Sequence, residues 1–137
     1  MAGYSGTPLP KKLGLKPDAR FGLVGAPAAF ERALGELPAG VKPRTVGAGR
    51  DLYDVIVCFA PTMAEVGKRL PALKRRLQPA GGLWMAWPKK ASGIATDVNE
   101  NAVRAVGLGA GLVDNKVCAI DDVWSGLRFV YRLADRS

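Results

Sequence analysis

Two kinds of apolar pattern alternate along the chain. "RFGLVG" (residues 20–25), "DLYDVIVCFA" (51–60) and "GLWMAW" (82–87) are continuous runs rich in β-branched and aromatic residues, as expected of strands covered on both faces. Between them the spacing becomes helical. "TPLPKKLG" predicts a short helix with Thr7 as cap, Pro8 at the first helical position and Gly14 at its end. "APAAFERALGEL" predicts a helix presenting Phe30, Ala33, Leu34 and Leu37 on one face. "GVKPRTVG", with Lys42, Pro43 and Arg44, suits an exposed sheet edge.

Thr62 and Glu65 form a capping-box pattern ahead of Met63, Val66, Leu70, Leu73 and Leu77, which recur at helical spacing. Pro71 is expected to kink or split that helix. "TDVNENAVRAVGLGAG" predicts a further helix, capped by Asp97 with Glu100 three residues on and weakened by Gly107 and Gly109. "NKVCAID" and "GLRFVYRL" read as two strands joined by "DVWS", close enough to pair antiparallel. The fold class is therefore α/β: a single domain over residues 1–137, with an N-terminal arm and short helix (1–16) and a core (20–133). The core is a shortened, mostly parallel Rossmann-like sheet with helices on both faces and a C-terminal antiparallel strand.

Composition narrows the chemistry. Histidine is absent, which removes Ser-His-Asp triads, Cys-His pairs and His-based metal sites. Cys58 and Cys118 sit singly in apolar runs, without CxxC spacing, and read as small buried hydrophobes. No catalytic residue and no metal ligand set is identified, and no run has the length of a membrane span. The first residues lack the apolar core of a signal peptide, so a cytoplasmic location is expected. The net charge is +8, and residues 1–50 carry eight Lys/Arg against three acids, which favours an anionic partner. Lys68, Arg69, Lys74, Arg75 and Arg76 read as a nucleic-acid face or, more commonly, as the solvated side of an amphipathic helix.

In open α/β sheets, ligands bind beyond the carboxyl ends of the strands. Three such ends are readable: Gly25-Ala26-Pro27, Ala60-Pro61-Thr62 and Trp87-Pro88-Lys89-Lys90. The third is the richest. Lys89, Lys90, Ser92, Gly93 and Thr96 make a candidate anion cradle, with Trp87 as a stacking face. Against this, Trp84 and Trp87 also read as core, and the lysines as the point where the strand meets solvent. Trp124, on the "DVWS" connection, reads as a partner anchor or, more commonly, as a side chain folded back over the sheet. "YSGT" (4–7) reads as an arm over the same edge or as disorder.

At "LGLKPDARFGLVGAP", "LPALKRRLQPAGGLWMAW" and "AVRAVGLGAGLVDNKVCAID" the chain resembles class I S-adenosylmethionine (SAM)-dependent methyltransferases, in pattern more than in identity. At "YSGTPLPKKLG", "WPKKASG" with "ATD", and "KVCAIDDVWSGLRFV" it is similar to a family of small uncharacterised bacterial proteins, a domain of unknown function. A methyltransferase-like strand order implies that Cys58 and Cys118 lie three strands apart, roughly 14 Å, too far for a disulfide. Methyltransferases of this class carry a glycine-rich turn after the first strand and an acid after the second. Here the turn is Gly25-Ala26-Pro27 and the second-strand acid is not identifiable after "RTVG", so SAM is not expected as a cofactor. The stretch before "DVIVCFA" leaves little room for another helix and strand, so the sheet is expected to be abbreviated. The leading reading is a non-catalytic or regulatory module for a small phosphate-bearing anion, with a protein partner open. The alternatives are a degenerate SAM-dependent methyltransferase-like enzyme and a basic accessory protein binding nucleic acid non-specifically.

Overall fold

Pairing of the apolar runs gives a six-stranded sheet of order β2-β1-β3-β4-β6-β5. The structure is a computed structural model and describes residues 7–136. The strands are β1 (Phe21–Val24), β2 (Pro43–Thr45), β3 (Tyr53–Phe59), β4 (Leu77–Pro88), β5 (Leu112–Ala119) and β6 (Trp124–Tyr131). β1 pairs in parallel with β2 and β3, and β3 with β4; β6 is antiparallel to both β4 and β5. Five strands thus point one way and β6 the other, the architecture the pattern predicts. Cys58 on β3 and Cys118 on β5 stand three strands apart and both are free.

Helices cover both faces, as crossovers of one hand running in opposite directions require. α1 (Leu9–Leu13) and α2 (Ala28–Ala33) close one face, where Leu13, Phe30 and Leu34 pack with Phe21, Leu23, Val57 and Trp84. α3 (Met63–Lys74) and α4 (Glu100–Gly109) lie on the other, where Val66, Leu70, Leu73 and Val103 pack with Ile56, Leu83, Met85 and Phe129. Trp84 is fully buried, and its indole N–H donates to the Leu13 carbonyl at 3.1 Å, fastening α1 to the centre of the sheet.

Several local expectations need correction. Pro8, not Thr7, occupies the cap position of α1, with Pro10 in the first turn; Gly14 ends the helix in the left-handed region at φ 85°. α2 stops at Ala33, short of Leu37, because Gly35 turns left-handed at φ 68°, and Ala33 is exposed rather than on the packed face. α3 runs unbroken through Pro71. Pro71 and Gly67 both face solvent, so the carbonyl that loses its helical partner meets water. Asn99, not Asp97, caps α4, accepting from the Ala102 N–H at 2.9 Å. Gly107 is a packing requirement rather than a weakness, because a Cβ there would run into the Phe129 ring. Trp124 is the first residue of β6 and half-buried, its ring edge-to-face with Phe59 at 5.0 Å. No helix among the described residues is long and apolar enough to cross a membrane.

Candidate functional site

The chain leaves β1 through α2 on one face and leaves β3 through α3 on the other, so the sheet has its switch point between these neighbouring strands. A crevice at such a switch point, beyond the carboxyl ends, is where open α/β sheets take ligands. Gly25 lies there at φ 67°, and a Cβ on it would come within 3.1 Å of the Phe59 carbonyl oxygen, so glycine lets the two strand ends lie together. Glu65 stands in the first turn of α3. Its backbone N–H donates to Thr62 Oγ1 at 3.2 Å, as the capping-box pattern predicts. Its half-buried carboxylate makes no hydrogen bond or ion pair with the described residues.

The loop after β4 is stitched to the start of α3. Thr96 Oγ1 donates to the Pro61 carbonyl at 2.6 Å and accepts from the Val98 N–H at 3.0 Å. Asp97 Oδ1 accepts from the Met63 N–H at 2.8 Å, capping α3 rather than the helix that follows it in sequence. Ser92 Oγ donates to the Lys89 carbonyl at 2.6 Å and accepts from the Ile94 N–H at 3.2 Å, and Gly93 turns the chain at φ 77°. The structure thus brings Lys89, Lys90, Ser92, Gly93 and Thr96 into one loop at the end of β4, with both hydroxyls engaged in shaping it. The ammonium groups of Lys89 and Lys90 make no ion pair with the described residues, and Lys90 is exposed. Trp87 is buried, 7% exposed, within the core on the α3 side. The Tyr4-Ser5-Gly6 part of the N-terminal stretch lies outside the described residues.

The five basic residues of the α3 segment divide. Lys74 Nζ donates to the Ala110 carbonyl at 2.8 Å and lies over the Tyr131 ring. Arg76 donates to the carbonyls of Asp51 at 2.8 Å and Gly47 at 2.7 Å. Lys68, Arg69 and Arg75, with Arg76 beside them, line a cavity that sequence reasoning missed. Burial pushes the Cys58 thiol up to about 12, with Arg69 drawing it down and Glu65 adding to the rise. Burial also raises Cys118, against the pull of Lys12, Lys116 and Lys89. Among the described residues no group of His, Cys, Asp and Glu is placed to hold a metal ion.

No family model and no curated protein matches the chain. Solved structures do. A ribosomal protein L11 methylase from Lactobacillus delbrueckii subsp. bulgaricus superposes with TM-score 0.62 at 11% identity, over 90% of this chain and 75% of its own. A SAM-dependent methyltransferase from Aquifex aeolicus matches with TM-score 0.54 at 17% identity, over 87% of this chain and 85% of its own. Aeropyrum pernix fibrillarin, solved with natively bound SAM, matches with TM-score 0.55 at 13% identity, over 89% and 73%. These likenesses establish a methyltransferase-like α/β fold. They also overturn the expectation that set SAM aside on the Gly25-Ala26-Pro27 turn: proteins that share the fold are SAM-dependent or hold SAM.

Proposed function

We propose that this chain binds an adenosyl ligand of the SAM type in the crevice at the carboxyl ends of β1 and β3, as a methyltransferase-like protein. The observation that carries this reading is the strand order, with its switch point between β1 and β3 and its reversed last strand. The donor set at the crevice fits such a ligand. The unpaired Glu65 carboxylate would accept from ribose hydroxyls or from the amino-acid ammonium. When bound, SAM supplies an electrophilic methyl group on its sulfonium. The chain's own part is to hold the loop after β4 against Pro61 and Met63 through Thr96 and Asp97.

Titration calorimetry with SAM and with its demethylated product tests this. Both should bind the wild-type chain, and Glu65→Gln should weaken binding about tenfold, the scale of one hydrogen bond to a charged group. A folded wild-type chain that binds neither would overturn the reading.

A further inference from the structure

The connection from β2 to β3, residues 46–52, contains no helix, although β2 and β3 are parallel with β1 between them. Parallel strands are usually joined by a longer crossover containing one. Gly22 makes the short route feasible: a Cβ there would lie 2.5 Å from the Val46 side chain and 3.0 Å from the Tyr53 ring, so the side chains at the two ends of the connection close over β1. The consequence is a gap where a crossover helix would pack. A cavity of about 640 Å³ occupies it, running alongside residues 68–76 of the chain, within the size range of small-molecule sites.

The floor of this groove is apolar, from Val24, Val46, Ala72 and Leu73. Its rim carries Arg50, Lys68, Arg69 and Arg75, and none of its lining residues is acidic. Arg50, Lys68 and Arg75 are exposed and make no ion pair with the described residues. Arg69 is half-buried, and its Nε is buried with no hydrogen-bond partner. A buried guanidinium N–H without an acceptor is costly, and so is a ring of like charges beside an apolar surface. A bound anion relieves both.

We infer that this groove binds a phosphorylated nucleoside, its planar base on the apolar floor and its phosphate at the cationic rim. The groove begins beside Val24, the last residue of β1, and runs along the α3 segment from Lys68 to Arg76, whereas the crevice is bordered by Gly25 and Thr62–Glu65, so the two are neighbouring positions with different linings. The same chemistry is offered by a free nucleotide and by a nucleotide within an RNA strand.

The test is calorimetry of the full chain at moderate salt with pyrophosphate, adenosine diphosphate and a short single-stranded RNA. Adenosine diphosphate should bind more tightly than pyrophosphate, because the floor contributes. Ala72→Trp, which fills the groove, and the double variant Lys68→Glu/Arg75→Glu should each weaken binding about tenfold or more with unchanged melting. Lys89→Glu/Lys90→Glu should bind as the wild type does. A free nucleotide is the occupant if adenosine diphosphate binds at least as tightly as RNA; a strand is the occupant if RNA binds more tightly and adenosine diphosphate displaces it. The inference fails if nothing binds, if Ala72→Trp binds like the wild type, or if the Lys89/Lys90 reversal is as damaging as the groove reversal. Because Ala72→Trp leaves Glu65 untouched, that failure is distinct from a failure to bind SAM in the crevice.

Discussion

The two halves of the sheet face that carries α3 and α4 are built differently. Over β6 and β5 the face is closed: α4 seats Gly107 on the Phe129 ring and ties Arg104 to Asp114 at 2.9 Å. The Tyr131 hydroxyl donates to the Lys74 carbonyl at 2.6 Å, and Lys74 in turn reaches Ala110. Over β1 and β2 a seven-residue connection, 46–52, replaces the helix, and Arg76 holds it by two carbonyls. Where a helix covers the sheet, the polar groups at its margins satisfy one another. Where a loop does, cations are left facing an apolar floor, which is a surface suited to an outside anion.

The closed half breaks most easily. Gly107→Ala drives a methyl group into the Phe129 ring and should cost about 1–3 kcal/mol, the usual penalty of overpacking, lowering the melting temperature by several degrees. Melting unchanged from the wild type would contradict the seating of α4. In the open half, Arg76→Ala releases the carbonyls of Asp51 and Gly47 and should cost about 1–2 kcal/mol by urea denaturation. Arg76→Lys should recover little of that, since one ammonium does not reproduce the guanidinium's two-point span. Full recovery would mean that charge alone, not the fork, holds the connection.

An effect confined to alkaline pH comes from Cys58, on β3 between the two halves. Its folded pKa of about 12 lies above the ordinary thiol value of 9.0, so in that interval the unfolded chain binds fewer protons than the folded one. Its contribution is complete below pH 9 and is lost as pH rises towards 12. Cys58→Ala should therefore start less stable, from the cavity, and show a shallower alkaline decline. An equally steep decline would place the alkaline sensitivity elsewhere.

Much of this was legible in the chain, for reasons that also explain what was not. β3 and β4 announce themselves because their burial on both faces demands continuous apolar runs, whereas the three-strand separation of Cys58 and Cys118 followed only from the strand order that the methyltransferase resemblance implies. Asp97 was misassigned because an acid near a helix start looks the same whether it caps that helix or, as here, reaches Met63 on another. Gly107 looked like a flaw because propensity does not register the ring beneath it. The loop of Lys89, Lys90, Ser92, Gly93 and Thr96 was visible as one segment, but the engagement of its hydroxyls depends on Pro61 and on local turns. The groove was hidden because its cations come from two distant stretches, Lys68, Arg69 and Arg75 in the α3 segment and Arg50 in the β2–β3 connection. Its one trace in the sequence is Gly22, a side-chain-free position inside an otherwise bulky strand.

The central claim is that this fold offers two positions: a crevice at the strand ends and a groove where a helix is missing. Calorimetry of the demethylated SAM product, repeated at saturating adenosine diphosphate, tests it most directly. Two sites predict that both ligands bind and that the product's affinity is the same with the groove filled. Mutual exclusion, or a chain that takes up only one of the two, would contradict it.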